Sequence, residues 1–215
     1  MTSWTVLIPF KGSALGKSRL ASTALSDAQR RQLATAFLLD VIDVALHTPE
    51  VARVIVTSPD THTQQLLGKL PCDVLTEPPH TSGLNAGVLW ALSEIGAPHL
   101  ACAVLTSDLP FLHEHELSQV LNLASGSERS MVTDREGTGT TLLLANRTPE
   151  FEPAFGLNSR AAHERLGFSL LNVPSSSGIR HDVDTSEQLN HAGGLIAGRH
   201  TFAALRTRTA ESGAA

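Results

Sequence analysis

Ala101-Cys102-Ala103-Val104-Leu105-Thr106-Ser107-Asp108-Leu109-Pro110 is the stretch on which the fold turns. Its apolar start shows no alternation with polar residues, so it reads as a strand buried on both faces. That pattern belongs to a sheet covered by helices on either side. Asp108 follows just past the strand, with Pro110 stiffening the next turn. In open α/β sheets ligands bind beyond the carboxyl ends of the strands. Asp108 therefore stands where a ligand is expected.

Upstream, Trp4-Thr5-Val6-Leu7-Ile8 is short, apolar and closed by Pro9, a buried first strand. Ser26 with Gln29 three residues on makes a capping-box signature. The helix it opens carries Leu33, Phe37, Leu38, Val41, Ile42 and Ala45 at helical spacing. Val54-Ile55-Val56 is a second strand ended by Ser58-Pro59-Asp60, and a short helix runs through Gln64 to Leu67. Val74-Leu75 is a third strand before the Pro78-Pro79 break. Gly83-Leu84-Asn85 then opens a helix bearing Val88, Leu89 and Leu92. Strands alternating with helices predict a mostly parallel sheet in a three-layer α/β/α arrangement. After Ser130-Met131-Val132 the order changes. Thr141-Leu142-Leu143-Leu144 leaves little room for a helix before it, so the sheet is expected to turn mixed there. Residues 1–200 read as a single domain, and Thr201 to Ala215, rich in Ala, Arg and Thr, as a disordered C-terminal tail.

With 215 residues and 41% hydrophobic content, the chain suits one α/β domain with a sizeable core. A net charge of -5 argues against broad binding to nucleic acid, which wants a basic surface. An anionic substrate must then be held by local cations. Cys72 and Cys102 lie in apolar, strand-like stretches and read as buried thiols in a reducing cytoplasm. No apolar run reaches membrane length, and no basic segment with a long apolar one opens the chain. A cytoplasmic protein is expected, and a homodimer stays open.

Three features at strand ends carry the chemistry. The loop Lys11-Gly12-Ser13-Ala14-Leu15-Gly16-Lys17-Ser18-Arg19 combines two glycines, which let backbone N–H groups approach a ligand, with three cations. That suits a triphosphate, although the glycine spacing is not that of a Walker loop; a solvated basic loop is the plain alternative. Asp108 is placed to hold a hard cation such as magnesium, which takes a few carboxylates and completes its shell with phosphate oxygens and water. Its alternative is an N-cap for a helix starting near Glu114. In Asp182-Val183-Asp184-Thr185, an extended backbone would turn both carboxylates to one side, while Asp184 or Thr185 could instead cap a helix at Ser186. Gly137-Thr138-Gly139-Thr140-Thr141 and Phe155-Gly156-Leu157-Asn158-Ser159 fit an acceptor pocket, the second ending in a cap that would leave N–H groups aimed at an anion. A hairpin turn and an ordinary N-cap are their alternatives. Arg160 and His163, three apart, share a helix face, and His163 reads as a satisfied helix histidine rather than a catalyst. His62, His113 and His115 show no zinc-type spacing with thiols.

Taken in order, these segments resemble a known family. Ile8-Pro9-Phe10-Lys11 with Lys17-Ser18-Arg19-Leu20-Ala21, Gly83-Leu84-Asn85, Asp108-Leu109-Pro110, Gly137-Thr138-Gly139-Thr140, Phe155-Gly156 with Ser159 and His163, and Asp182-Val183-Asp184-Thr185 are similar to the phospholactate/phosphoenolpyruvate guanylyltransferases of coenzyme F(420) biosynthesis. The likeness runs to about residue 195. It implies a Rossmann-like nucleotidyltransferase fold with a mixed, mostly parallel sheet. It also implies transfer of a guanylyl group from GTP to a small phosphorylated carboxylic acid; the charge and hydropathy above predict no nucleic acid or membrane partner. On this resemblance Asp108, Asp182 and Asp184 gather magnesium, and Thr140, Gly156 and Ser159 hold the acceptor. Lys11, Lys17 and Arg19 cover the nucleotide phosphates, Gly83, Leu84 and Asn85 lie near the nucleoside, and Lys17, Arg19 and Asp108 serve catalysis. Ser186 and Gln188 depart from the usual proline and acidic residue.

Rival readings are a molybdenum-cofactor guanylyltransferase or a cytidylyltransferase, both favouring a Gly-x-Gly first loop. A sugar transferase would place its Asp-x-Asp pair mid-chain. A non-catalytic nucleotide-binding regulator would need fewer charges.

Overall fold

The computed structural model describes residues 2–11, 26–96, 100–147, 151–184, 188–189 and 194–212. Strand β1 (Trp4–Pro9) is buried along its whole length. Trp4, Val6 and Ile8 enter one apolar cluster and Leu7 another, because successive side chains of a strand leave opposite faces. The first cluster is closed by helices α1 (Asp27–His47) and α4 (Glu114–Ala124), the second by α3 (Leu84–Ile95). Burying one such aliphatic side chain is worth about 2 kcal/mol, so the two faces together hold the layers.

Between these helices run β2 (Val51–Ser58), α2 (His62–Leu67), β3 (Asp73–Thr76) and β4 (Ala101–Leu105). β5 (Arg129–Thr133), β6 (Thr140–Ala145), α5 (Ser159–Arg165), β7 (Ser169–Leu170) and a 3-10 turn (Gly178–Arg180) follow. The strands form one sheet in the order β3-β2-β1-β4-β6-β5-β7. β3, β2, β1 and β4 pair in parallel; β6 is antiparallel to both β4 and β5, and β7 is parallel to β5. The expected α/β class with a mixed, mostly parallel sheet is what the chain adopts. β6 is its single reversed strand among the described residues.

α1 begins with the expected capping box: Gln29 N–H donates to Ser26 Oγ and Ser26 N–H to Gln29 Oε1. Leu38, Val41, Ile42 and Ala45 face the sheet, whereas Leu33, Ala36 and Phe37 pack on the other side against Val183, Leu189 and Ala204. Ala204 belongs to α6 (Arg199–Ser212). This corrects the reading of Thr201 onward as a tail: through Ser212 the segment is helical and its start is docked on α1. Asp40 of α1, 4% exposed, accepts the N–H groups of His200 and Thr201, both at 2.9 Å, and so caps α6 from another helix. No helix among the described residues is long and apolar enough to cross a membrane. Cys102 is buried, Cys72 half-buried, and both are free thiols.

Candidate active site

β4 is buried throughout, and Thr106 N–H still bonds Thr141 O at 3.0 Å, so the chain leaves the sheet only after this point. Leu109, Phe111 and Leu112 then bury themselves and pin the turn that carries half-buried Asp108. Asp108 does not cap α4. The helix starts at Glu114, and the Glu116 carboxylate takes the His113 N–H at 2.9 Å.

Residues 182–184 are drawn to Asp108 by a backbone bond, Val183 N–H to Asp108 O at 2.9 Å. Val183 is buried beside Leu33, Phe37 and Phe111. With the valine committed to the core, Asp182 and Asp184 both line the same cavity as Asp108, a space of about 480 Å³. Gln188, in the place of the usual acidic residue, accepts Asp184 N–H at 2.8 Å. Thr185 and Ser186 lie outside the described residues. Close approach also fixes the wall behind Asp108. A Cβ on Gly178 would overlap Phe111 O, and Gly178 N–H and the Ser177 hydroxyl both donate to Glu116 at 2.7 Å.

Thr140, the first residue of β6, lines the same cavity. Asp134, at the end of β5, organises the turn before it by accepting the N–H groups of Thr138 and Gly139, both at 2.8 Å. Gly156 lines the cavity at φ 140, a backbone region that glycine alone adopts readily. Ser159, also lining it, is the first residue of α5 rather than its cap; Asn158 precedes it at φ 56. The expectation of N–H groups aimed at an anion is corrected for the first two. Ser159 N–H bonds Gly156 O at 3.2 Å and Arg160 N–H bonds Thr138 O at 3.1 Å. The Ser159 hydroxyl instead donates to Thr140 Oγ1 at 3.2 Å.

Arg160 and His163 part company despite their spacing. Arg160 reaches Gly137 O and pairs with Glu164, while His163 is fully buried. Its Nδ1 lies 2.9 Å from Thr140 Oγ1, and its Nε2 accepts Ala154 N–H at 2.8 Å. Burial pushes its pKa down to about 4. It is satisfied on both nitrogens, as the sequence reading expected.

On the β1 side, Phe10 is held by its N–H bond to Thr57 O at 2.8 Å, and exposed Lys11 follows on the cavity wall. Leu84 lines the cavity; Gly83 and Asn85 do not. Asn85 has a different task, donating to Phe155 O at 3.0 Å and accepting Phe155 N–H at 2.8 Å, which ties the start of α3 to the Gly156 loop. Lys17 and Arg19, with Gly12 and Gly16, lie outside the described residues. The sequence reading gave no role to several lining residues, among them Ala34, Thr106 and Asp134. Asp134 did leave a signal, a carboxylate directly ahead of a Gly-Thr-Gly turn. Thr106 Oγ1 is buried with no hydrogen-bond partner among the described residues, and Thr106 lines the cavity.

A three-layer α/β/α sheet with this cavity beyond β1 and β4 is a fold shared with nucleotidyltransferases of known structure. The chain's fold matches that of a Desulfovibrio desulfuricans protein described as a putative nucleotide-diphospho-sugar transferase (TM-score 0.70, 16% identity, 98% of this chain and 96% of that one). It also matches a nucleotidyl transferase from Methanothermobacter (TM-score 0.64, 14% identity, 96% and 100% covered). Residues 4–191 match the family model described as "Guanylyl transferase CofC like", and the chain belongs to that family of guanylyltransferases. Among its relatives, the phosphoenolpyruvate guanylyltransferase of Streptomyces coelicolor is 38% identical over 202 residues, covering 93% of this chain and 94% of the relative. That of Streptomyces scabiei is 39% identical over 206 residues, covering 94% and 95%.

Proposed function

We propose that this chain moves a guanylyl group from GTP onto the phosphate of phosphoenolpyruvate, releasing pyrophosphate, as a cytoplasmic step in coenzyme F(420) biosynthesis. One observation carries the reading. Asp108, Asp182 and Asp184 share a single cavity with Thr140, Gly156 and Ser159, in a chain whose relatives bear the name phosphoenolpyruvate guanylyltransferase. 2-Phospho-L-lactate is the alternative acceptor.

The donor set fits a hard divalent cation. Among the described residues no group of three or more His, Cys, Asp or Glu stands ready to hold a metal alone. Magnesium rarely uses such a cage; it takes one or two carboxylates and fills its shell with substrate phosphates and water. Asp108 with Asp182 or Asp184 would supply those carboxylates, and Thr106, whose buried hydroxyl has no hydrogen-bond partner among the described residues, lines the same cavity. When bound, the ion supplies charge neutralisation between the reacting phosphates.

The rest falls to the chain's own groups. An acceptor phosphate oxygen attacks the α-phosphorus of GTP in line as the bond to pyrophosphate breaks. That oxygen is already ionised at neutral pH, so no strong general base is needed. Lys11, Lys17 and Arg19 offset the charge of the triphosphate side. Thr140, Gly156 and Ser159 hold the acceptor opposite it, which contributes the proximity that in-line transfer demands. The test is a side-by-side assay of GTP, and of CTP in parallel, with phosphoenolpyruvate, 2-phospho-L-lactate and 3-phosphoglycerate, read by mass. Enolpyruvoyl-2-diphospho-5'-guanosine is the expected product. Lactyl-2-diphospho-5'-guanosine alone would transfer the reading to the alternative acceptor, and product from CTP but not GTP would sink it.

A further inference from the structure

No step described above uses His163, yet it is fully buried directly behind the acceptor wall. Its two nitrogens are not equivalent. Ala154 N–H, which can only donate, points at Nε2 from 2.8 Å, so Nε2 must present a lone pair. In the neutral ring the proton then sits on Nδ1, and Nδ1 donates to Thr140 Oγ1 at 2.9 Å. The Ser159 hydroxyl donates to the same oxygen at 3.2 Å. A hydroxyl oxygen accepts through two lone pairs, and with the Ser159 proton assigned to this contact both are taken. What Thr140 has left is its own proton, and Thr140 lines the cavity.

We propose that His163 is a positioning residue: by filling Thr140 Oγ1 from behind, it commits the Thr140 hydroxyl to donate into the cavity and so selects an anionic oxygen there. This rests on the acceptor reading above and deepens it. Thr140 meets a carboxylate or phosphate oxygen of the 2-phospho acid as a donor, and a neutral group offering only a proton finds no acceptor at this place.

The surroundings keep the ring neutral and fixed. Phe155 and Phe168 present their rings to it edge-on, with centroids 5.2 and 5.6 Å away. Arg129 of β5 lies over the Phe168 ring at 5.9 Å and spends a donor on Leu166 O. Arg160 and Glu164, on the same helix as His163, pair with each other. A cationic imidazole would turn Nε2 into a donor facing the Ala154 N–H, two donors with no acceptor between them.

Two measurements test the inference. Imidazole ¹⁵N shifts of His163 in the wild-type protein need no substrate; the Nδ1–H tautomer is expected, unchanged from neutral pH down to pH about 5.5. An Nε2–H tautomer, or a charged ring at neutral pH, overturns the proposal. Steady-state kinetics come second. His163→Phe is expected to raise the acceptor KM about tenfold, the worth of one hydrogen bond to a charged group, with the KM for GTP unchanged. His163→Asn, whose amide N–H can replace Nδ1–H, is expected to recover most of that loss. In a Thr140→Val background His163→Phe is expected to add nothing. Equal rises in both KM values, no difference between the Phe and Asn variants, or additive losses would each overturn it. Should the wild type turn over no 2-phospho acid with GTP, the proposed function falls, while the tautomer measurement still decides the state of His163.

Discussion

Asp108 and His163 illustrate opposite uses of a titratable side chain. Asp108 sits half-buried on the cavity wall, where a carboxylate can share a cation with the substrate phosphates. Asp108→Asn keeps the shape and removes the charge. Turnover is expected to fall about 100-fold or more with the circular dichroism spectrum unchanged; near-normal turnover at saturating magnesium would remove Asp108 from the metal site. His163 is held neutral, its pKa lowered from 6.5 to about 4 by burial. The unfolded chain therefore binds the proton more tightly than the native one. The contribution to stability is full above pH about 6.5 and is lost as pH falls toward 4. Between pH 7 and pH 5 the loss amounts to roughly 2 kcal/mol. Urea titrations at the two pH values should show it in the wild type and show it diminished in His163→Asn. Equal pH dependence in the two proteins would mean the imidazole titrates as it does in water.

Elements differ in how much of their cause is local. α1 was readable because both its cap and its stripe lie within its own sequence, Ser26 to Ala45. The change of sheet direction at β6 was readable too, since a chain cannot cross over in parallel without room for a connection. α6 was not: the Asp40 carboxylate that caps it lies 160 residues upstream of His200, and no local pattern announces a partner so distant. Asp40→Ala should cost about 2 kcal/mol in chemical denaturation, as expected for losing two charge-assisted cap bonds. Asp40→Asn, which keeps one acceptor oxygen, should cost less, and a neutral Asp40→Ala would show that α6 holds by packing alone. The turn at Gly178 was likewise silent in the sequence, because its need for glycine comes from the Phe111 carbonyl and not from its own dihedral angles. Gly178→Ala should destabilise by about 2 kcal/mol or more. Its readout is the denaturation midpoint, and an unshifted midpoint would show that the Phe111 turn gives way freely.

For the molecule as a whole, the candidate site was legible as a set of residue types at strand ends, and less so as a geometry. Val183 entering the core leaves Asp182 and Asp184 lining the cavity that Asp108 lines, as alternation anticipated. The Ser159 hydroxyl turning toward Thr140 was invisible, because it depends on two segments meeting. The same holds for Asn85, whose side chain serves the Phe155 loop. If a divalent ion joins the two substrates, chelation should stop pyrophosphate release and added magnesium should restore it. Undiminished release under chelation would leave the aspartates a purely structural role.

The lone reversed strand has a consequence for how acceptor choice can change. Because β6 runs against its neighbours, Thr140 enters the cavity from the opposite end of a strand to Asp108, within a contiguous stretch from Asp134 to His163. The nucleotide contacts proposed above, Lys11, Lys17 and Arg19, come from elsewhere in the chain. Grafting that one stretch from a homologue with another acceptor should transplant its preference while GTP use persists, so the two halves of the reaction can diversify independently.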